Sequence, residues 1–162
     1  MREEMSDRAK FQELLKPIKR LAIEDGKEAI RIVRRRAEEW RVAADRIGIM
    51  GFSAGGHLSM GVAFDHDAES RPDFVAPIYA AWPEGTVPAD AAPVFLACAA
   101  DDDMAVRSSL PIFSQWREAG KSAELHNFAK GGHGFGMRKQ GLPSDHWIEL
   151  FGNWLVSLGM AR

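Results

Sequence analysis

Between Leu21 and Trp40 apolar residues return at spacings of three, four and seven. Ala22, Ala29, Ile30, Val33, Ala37 and Trp40 fall on one stripe, which predicts a helix over 21–40. Residues 1–17 are polar and charged, with Phe11, Leu14 and Leu15 as apolar anchors before Pro17. That stretch predicts an irregular arm holding no more than one short helix. The division expected is an arm over 1–20 and one folded domain over 21–162. Ile47 to Phe52 is apolar without polar alternation, as in a strand buried on both faces of a parallel sheet. Ala54 to Phe64 reads as a helix. Phe74 to Ala80, interrupted by Pro77, and Pro93 to Ala99 read as strands. A helix over 108–119, a strand over 123–128 and a closing helix over 147–158 follow. Strand and helix alternate, so the fold class expected is α/β, a mostly parallel sheet with flanking helices.

A chain of 162 residues supports one core. The formal net charge of -2 gives no electrostatic reason to bind nucleic acid or an anionic membrane surface. Arg34, Arg35 and Arg36 lie beside Glu38 and Glu39, which favours a solvated helix face over a nucleic-acid patch. The single cysteine, Cys98, cannot form an internal disulfide and sits in an apolar run that predicts a buried, inert thiol. No apolar stretch approaches the ~20 residues needed to cross a bilayer. Met1 to Lys10 carries both charge signs without an apolar signal segment, so a soluble, cytoplasmic protein is expected.

Gly51-Phe52-Ser53-Ala54-Gly55 matches G-x-S-x-G. By composition a chain this long shows such a match about one time in twenty. Its position, where a buried strand ends and a helix begins, is the context in which this motif presents a nucleophile. A sharp strand-to-helix turn brings neighbouring backbone so close that side chains flanking the serine would clash. Glycines at 51 and 55 are expected to relieve this, with Gly56 keeping the first helical turn open. The turn lifts the Ser53 hydroxyl clear of the sheet and aims the Ala54 N–H at a developing oxyanion. The plainer alternative is a serine helix cap.

A serine nucleophile needs a base and a carboxylate to orient it. His133 stands in Lys130-Gly131-Gly132-His133-Gly134-Phe135-Gly136, directly after the last strand, where a glycine-rich loop can present an imidazole. His57, His66, His126 and His146 are placed for local packing or loops. Asp101-Asp102-Asp103 follows the third strand, at the carboxyl end where such sheets carry their chemistry. One of the three orients His133, and the others are solvated or cap the turn. The cluster also admits a metal reading through Asp101, Asp103 and His133, which no histidine pair or cysteine spacing supports.

Asp45 to Leu58, Pro93 to Asp102, and Ala123 to Gly136, taken in order, resemble the elbow, acid loop and histidine loop of one family. These are the α/β-hydrolase esterases described as xylanase-like, or as acetyl xylan and feruloyl esterase-like. Position by position, the resemblance implies Ser53 as nucleophile, His133 as base and Asp102 as acid, with Asp103 next, because the loop is a residue shorter here. It also implies hydrolysis of small acyl or carbohydrate-linked esters, without cofactor or metal. Such enzymes have further strands and a glycine-rich loop that gives a second oxyanion N–H before the elbow. Nothing before Ile47 reads as a strand, so the expectation is the carboxyl-terminal half of the fold. Two results are expected: weak catalysis, and a homodimer through the open edge of the elbow strand unless residues 1–17 cover it. A truncated or degenerate, non-catalytic module that associates with itself or another chain is the alternative.

Overall fold

The computed structural model of the chain describes residues 2–80 and 85–161, with side chains from Glu13 onward. Phe11, named above as an anchor, lies outside the described side chains. Helix α1 runs from Arg2 to Arg35 and includes Pro17. The irregular arm is therefore a correction: residues 2–17 continue the helix. Proline removes one backbone donor and normally breaks a helix. Here strong helix formers flank it on both sides (Glu13, Leu14, Leu15 and Lys16 before, Lys19, Arg20 and Leu21 after), and the helix passes through. Leu14, Ile18 and Leu21 are exposed on this half.

The helix expected to reach Trp40 breaks at Arg36 and resumes as a single turn, α2 (Ala37–Trp40). Arg41 closes that turn in the left-handed region at φ 55°. The Arg41 N–H reaches Glu38 O and the Val42 N–H reaches Ala37 O, the two crossed bonds of a Schellman end. Arg34 is not on a solvated face. Its guanidinium donates to the carbonyls of Ala44, Glu69 and Arg71 and pairs with Asp73, tying α1 to the loop before the second strand. Arg35 and Arg36 make surface ion pairs with Glu28 and Glu39.

Four strands follow, β1 (Ile49–Phe52), β2 (Val75–Ile78), β3 (Val94–Ala99) and β4 (Ala123–Phe128). They form one sheet in the order β1-β2-β3-β4, and every pairing is parallel. Pro77 lies inside β2, opposite Gly51. The N–H groups of Val75 and Tyr79 donate to Pro93 and Ala97 on the β3 side. By strand alternation the donor missing at Pro77 would point the same way, so β2 gives up one rung there. Burial on both faces holds the strand in place.

Helices α3 (Ala54–Phe64) and α4 (Asp103–Glu118) cover one face, and α5 (Trp147–Ser157) the other. Met60, Val75, Val94, Leu96, Ile112 and Trp116 fill the first layer. Phe95, Ala97, Trp147, Phe151 and Trp154 fill the second. Two of the buried indoles donate to backbone carbonyls, Trp116 to Ala92 O and Trp147 to Gly136 O. Cys98 is buried, as the apolar run implied, and burial pushes its thiol pKa up. The rear half of α1 packs on α3, where Ile23 occupies the space above Gly61. Strand β1 is an edge of the sheet, with Met50 44% exposed. Residues 2–17, being helical, add no strand to it. No described helix is long and apolar enough to cross a membrane.

Candidate active site

The carboxyl ends of all four strands converge on one place. Ser53 follows β1 and occupies a sparsely populated conformation, φ 51° and ψ −111°, immediately before α3. The turn is possible because Gly51 has no side chain: a Cβ there would lie 2.2 Å from the carbonyl of Gly55. Gly56 is needed for a similar reason, since its Cβ would stand 2.7 Å from that of Ala80. Gly55, expected to relieve a clash, faces open space, so that expectation is corrected. The glycine the elbow requires beyond Gly51 is one residue later, where the end of β2 crosses the start of α3. No side-chain cap bond is made by Ser53. Its hydroxyl is directed elsewhere.

That direction is His133. Ser53 Oγ lies 2.8 Å from His133 Nε2, and His133 Nδ1 lies 2.6 Å from Asp102 Oδ2. A carboxylate only accepts, so Nδ1 carries the ring proton and the Nε2 lone pair faces the serine hydroxyl. The Asp102 side chain is 5% exposed, whereas that of His133 is 39% exposed. The carboxylate is thus held in a dry pocket beneath a ring open to substrate. Ala54, first residue of α3, is exposed, and its N–H precedes the turn in which intrahelical acceptors become available.

The aspartate triplet divides its labour. Asp102 Oδ1 accepts the Ala105 N–H at 3.2 Å, capping α4. Helix α4 accordingly begins at Asp103, five residues before the expected start. Asp101 accepts the Gly132 N–H at 2.8 Å and the Gly131 N–H at 3.4 Å. Those backbone donors, Gly132 foremost, hold its carboxyl below the usual range. Asp103 is exposed in the first turn of α4. With the carboxylates committed in these separate directions, no described cluster of three His, Cys, Asp or Glu is arranged to hold a metal ion. Three other histidines are engaged away from Ser53: His66 with Asp90, His126 with Glu124 and His146 with Glu149. His57 lies within α3.

Sequence reasoning passed over Tyr79. This residue ends β2 in the left-handed region at φ 38° and is 4% exposed. Its ring stands edge-on to His133 at 5.2 Å and to Phe135 at 4.6 Å, and stacks on Phe52 at 5.7 Å. Burial pushes the Tyr79 hydroxyl pKa up, with the nearby Gly136 backbone opposing the shift. It is the chain's one tyrosine, at the carboxyl end of an interior strand, and that position was the available signal.

The chain is similar in sequence and fold to known hydrolases. The family model described as BD-FAE matches residues 17–74. An acetylxylan esterase of Xylanibacter ruminicola is 27% identical over 172 aligned residues, 85% of this chain and 36% of that protein. The chain therefore spans about a third of the length of that relative. The acetyl ester-xyloside bifunctional hydrolase of Caldicellulosiruptor lactoaceticus superposes with a TM-score of 0.76 at 27% identity, covering 86% of this chain and 66% of that one. An α/β-hydrolase enzyme, MGS-M1, from a Medee basin deep-sea metagenome library gives 0.76 at 25% identity, covering 84% and 64%. The parallel sheet with flanking helices, shared with these structures, is an α/β-hydrolase fold, and the chain is similar to esterases that carry it.

Proposed function

We propose that the chain hydrolyses carboxylic esters of small acyl groups through an acyl-enzyme, without a cofactor. The observation that carries this reading is the unbroken relay from Ser53 Oγ to His133 to Asp102, at 2.8 and 2.6 Å. Ser53 Oγ attacks the ester carbonyl as its proton passes to His133 Nε2. Asp102 stabilises the imidazolium and keeps the ring in register. The Ala54 N–H faces the developing oxyanion at the amino end of α3. Collapse of the tetrahedral intermediate breaks the bond to the alcohol, which leaves with the proton from Nε2. Water then repeats the sequence on the acyl-serine and releases the acid. The similarity to an acetylxylan esterase and to an acetyl ester-xyloside hydrolase favours acetyl groups on carbohydrate.

The first test is hydrolysis of 4-nitrophenyl acetate by the native chain and by Ser53→Ala. The expected loss is at least about 10³-fold, and equal rates would end the proposal. The competing reading is a module that folds and catalyses nothing. It draws on the small share of the acetylxylan esterase, 36%, that the chain covers. A fluorophosphonate probe separates the two, because only an activated Ser53 reacts. The open edge of β1, with Met50 exposed, supports self-association through that edge. Light scattering from a stable monomer at high concentration would exclude it.

A further inference from the structure

The loop that carries His133 has little stiffness of its own. Gly132, Gly134 and Gly136 take φ values of 63°, 82° and 51°. A run with glycine at every second position has many alternative backbone paths, so its conformation must be imposed from outside. On the carboxyl side of His133 the restraints are clear: Phe135 is buried against Tyr79, and the Trp147 indole donates to Gly136 O. On the amino side Gly131 rests against Ser144, whose Oγ would be 2.8 Å from a Cβ placed there. The polar restraint on that side is Asp101. Its two oxygens take the successive N–H groups of Gly132 and Gly131, at 2.8 and 3.4 Å.

We infer that Asp101 is a positioning residue for His133, gripping the backbone of the histidine loop while its neighbour Asp102 grips the ring. The acid loop thereby holds the base at two points, and the two points control different motions. Asp102 restrains rotation of the imidazole. Asp101 restrains the peptides at Gly131 and Gly132, whose torsions would otherwise swing the ring away from Ser53. Without Asp101 the Asp102–His133 bond can persist while the pair drifts together from the serine. A carboxylate suits the role because it accepts from two adjacent N–H groups at once. The inference rests on the esterase reading of Ser53, His133 and Asp102.

The experiment compares Asp101→Ala and Asp101→Asn with the native chain. Misplacement of a reacting group by about 1 Å loses about 10²-fold in rate. Asp101→Ala should therefore lower kcat about 10–100-fold with KM within about twofold. Asp101→Asn keeps one carbonyl acceptor and should fall between the two. In a His133→Ala background the same substitutions should change nothing further. A rise in KM with kcat intact, or an equal loss with His133 absent, would overturn the inference. A readout independent of turnover runs alongside: the downfield Nδ1–H proton resonance of His133 and the exchange rates of the Gly131 and Gly132 amides. Broadening of that resonance with faster amide exchange is expected in both variants, and native-like values would overturn the inference. If the native chain proves inactive the esterase reading fails, and the resonance arm still decides the role of Asp101. If Asp101→Ala does not fold, Asp101→Asn supplies both measurements.

Discussion

One oxygen of Asp102 accepts the Ala105 N–H at 3.2 Å and so leaves the other free to face His133. The acid of the proposed relay is thus also the helix cap of α4, and the two roles separate by substitution. Asparagine caps as well as aspartate does. Its amide nitrogen, however, cannot accept the imidazole N–H, so Asp102→Asn should leave the melting temperature near native. The same change should lower kcat about 10²–10⁴-fold. Asp102→Ala removes the cap as well, costing about 1 kcal/mol, a fall of about 2–4 °C in a domain of this size. Calorimetry beside ester kinetics checks both. Equal melting temperatures for the two variants would show that the cap bond stabilises nothing.

The elbow makes unequal demands on its glycines. A methyl at Gly51 would meet the Gly55 backbone at 2.2 Å, and backbone cannot step aside as a flexible side chain can. Gly51→Ala should destabilise by about 1–3 kcal/mol or more, the range for overpacking a closed site. Gly55 has open space around it in the first turn of α3. Gly55→Ala should be neutral or stabilising by about 0.5–1 kcal/mol, because alanine loses less entropy in a helix. Urea unfolding of the two variants gives the comparison, and a destabilised Gly55→Ala would refute the assignment.

The sequence displayed the four strands to within two residues because β1, β2 and β3 are short apolar runs and β4 alternates apolar with polar residues before a glycine-rich loop. Helix α4 began earlier than its pattern suggested. Asp103 and Arg107 broke the apolar period, and Asp102 reads as chemistry before it reads as a cap. At the amino end, the polar, charged composition of residues 1–17 suggested an irregular arm, yet the helix formers around Pro17 decided the outcome. Ser53 and His133 stood out as candidates by motif and loop context, whereas residue type left Asp101, Asp102 and Asp103 open and the family resemblance singled out Asp102. Asp101 and Tyr79 act through backbone contacts and ring placement, which residue type alone does not announce. The same is true of Gly56, whose need depends on Ala80, 24 positions further on in the chain.

Asp67 links the loop after α3 to α1. Its carboxylate accepts the N–H groups of Glu69 and Ser70 and pairs with Arg31. The Ser70 backbone bond first, then Arg31, holds its pKa well below the ordinary carboxylate value. A group whose folded pKa is depressed contributes stability above its unfolded pKa, about 3.9, and loses it as pH falls through the folded value. Asp67→Asn should therefore melt below the native chain at pH 7, and the gap should narrow as pH drops below about 4. Melting curves between neutral and strongly acid pH decide the matter. A gap that stays constant throughout would mean that charge at position 67 plays no part.

Tyr79 is held at φ 38°, a conformation costing roughly 1–2 kcal/mol in a residue with a side chain. It persists because the ring is enclosed by Phe52 and Phe135 and forms one wall beside His133. Two contributions can be told apart. Tyr79→Phe keeps the wall and removes only the hydroxyl, so stability should change by no more than about 1 kcal/mol, with Ser53 labelling by a fluorophosphonate slowed only slightly. Tyr79→Ala removes a buried aromatic side chain at about 3–5 kcal/mol and leaves the imidazole unsupported on that side. Labelling should then slow far more than in the phenylalanine variant at a temperature where both remain folded. If the phenylalanine variant labels as slowly as the alanine one, the hydroxyl, and not the ring, is what keeps His133 in place.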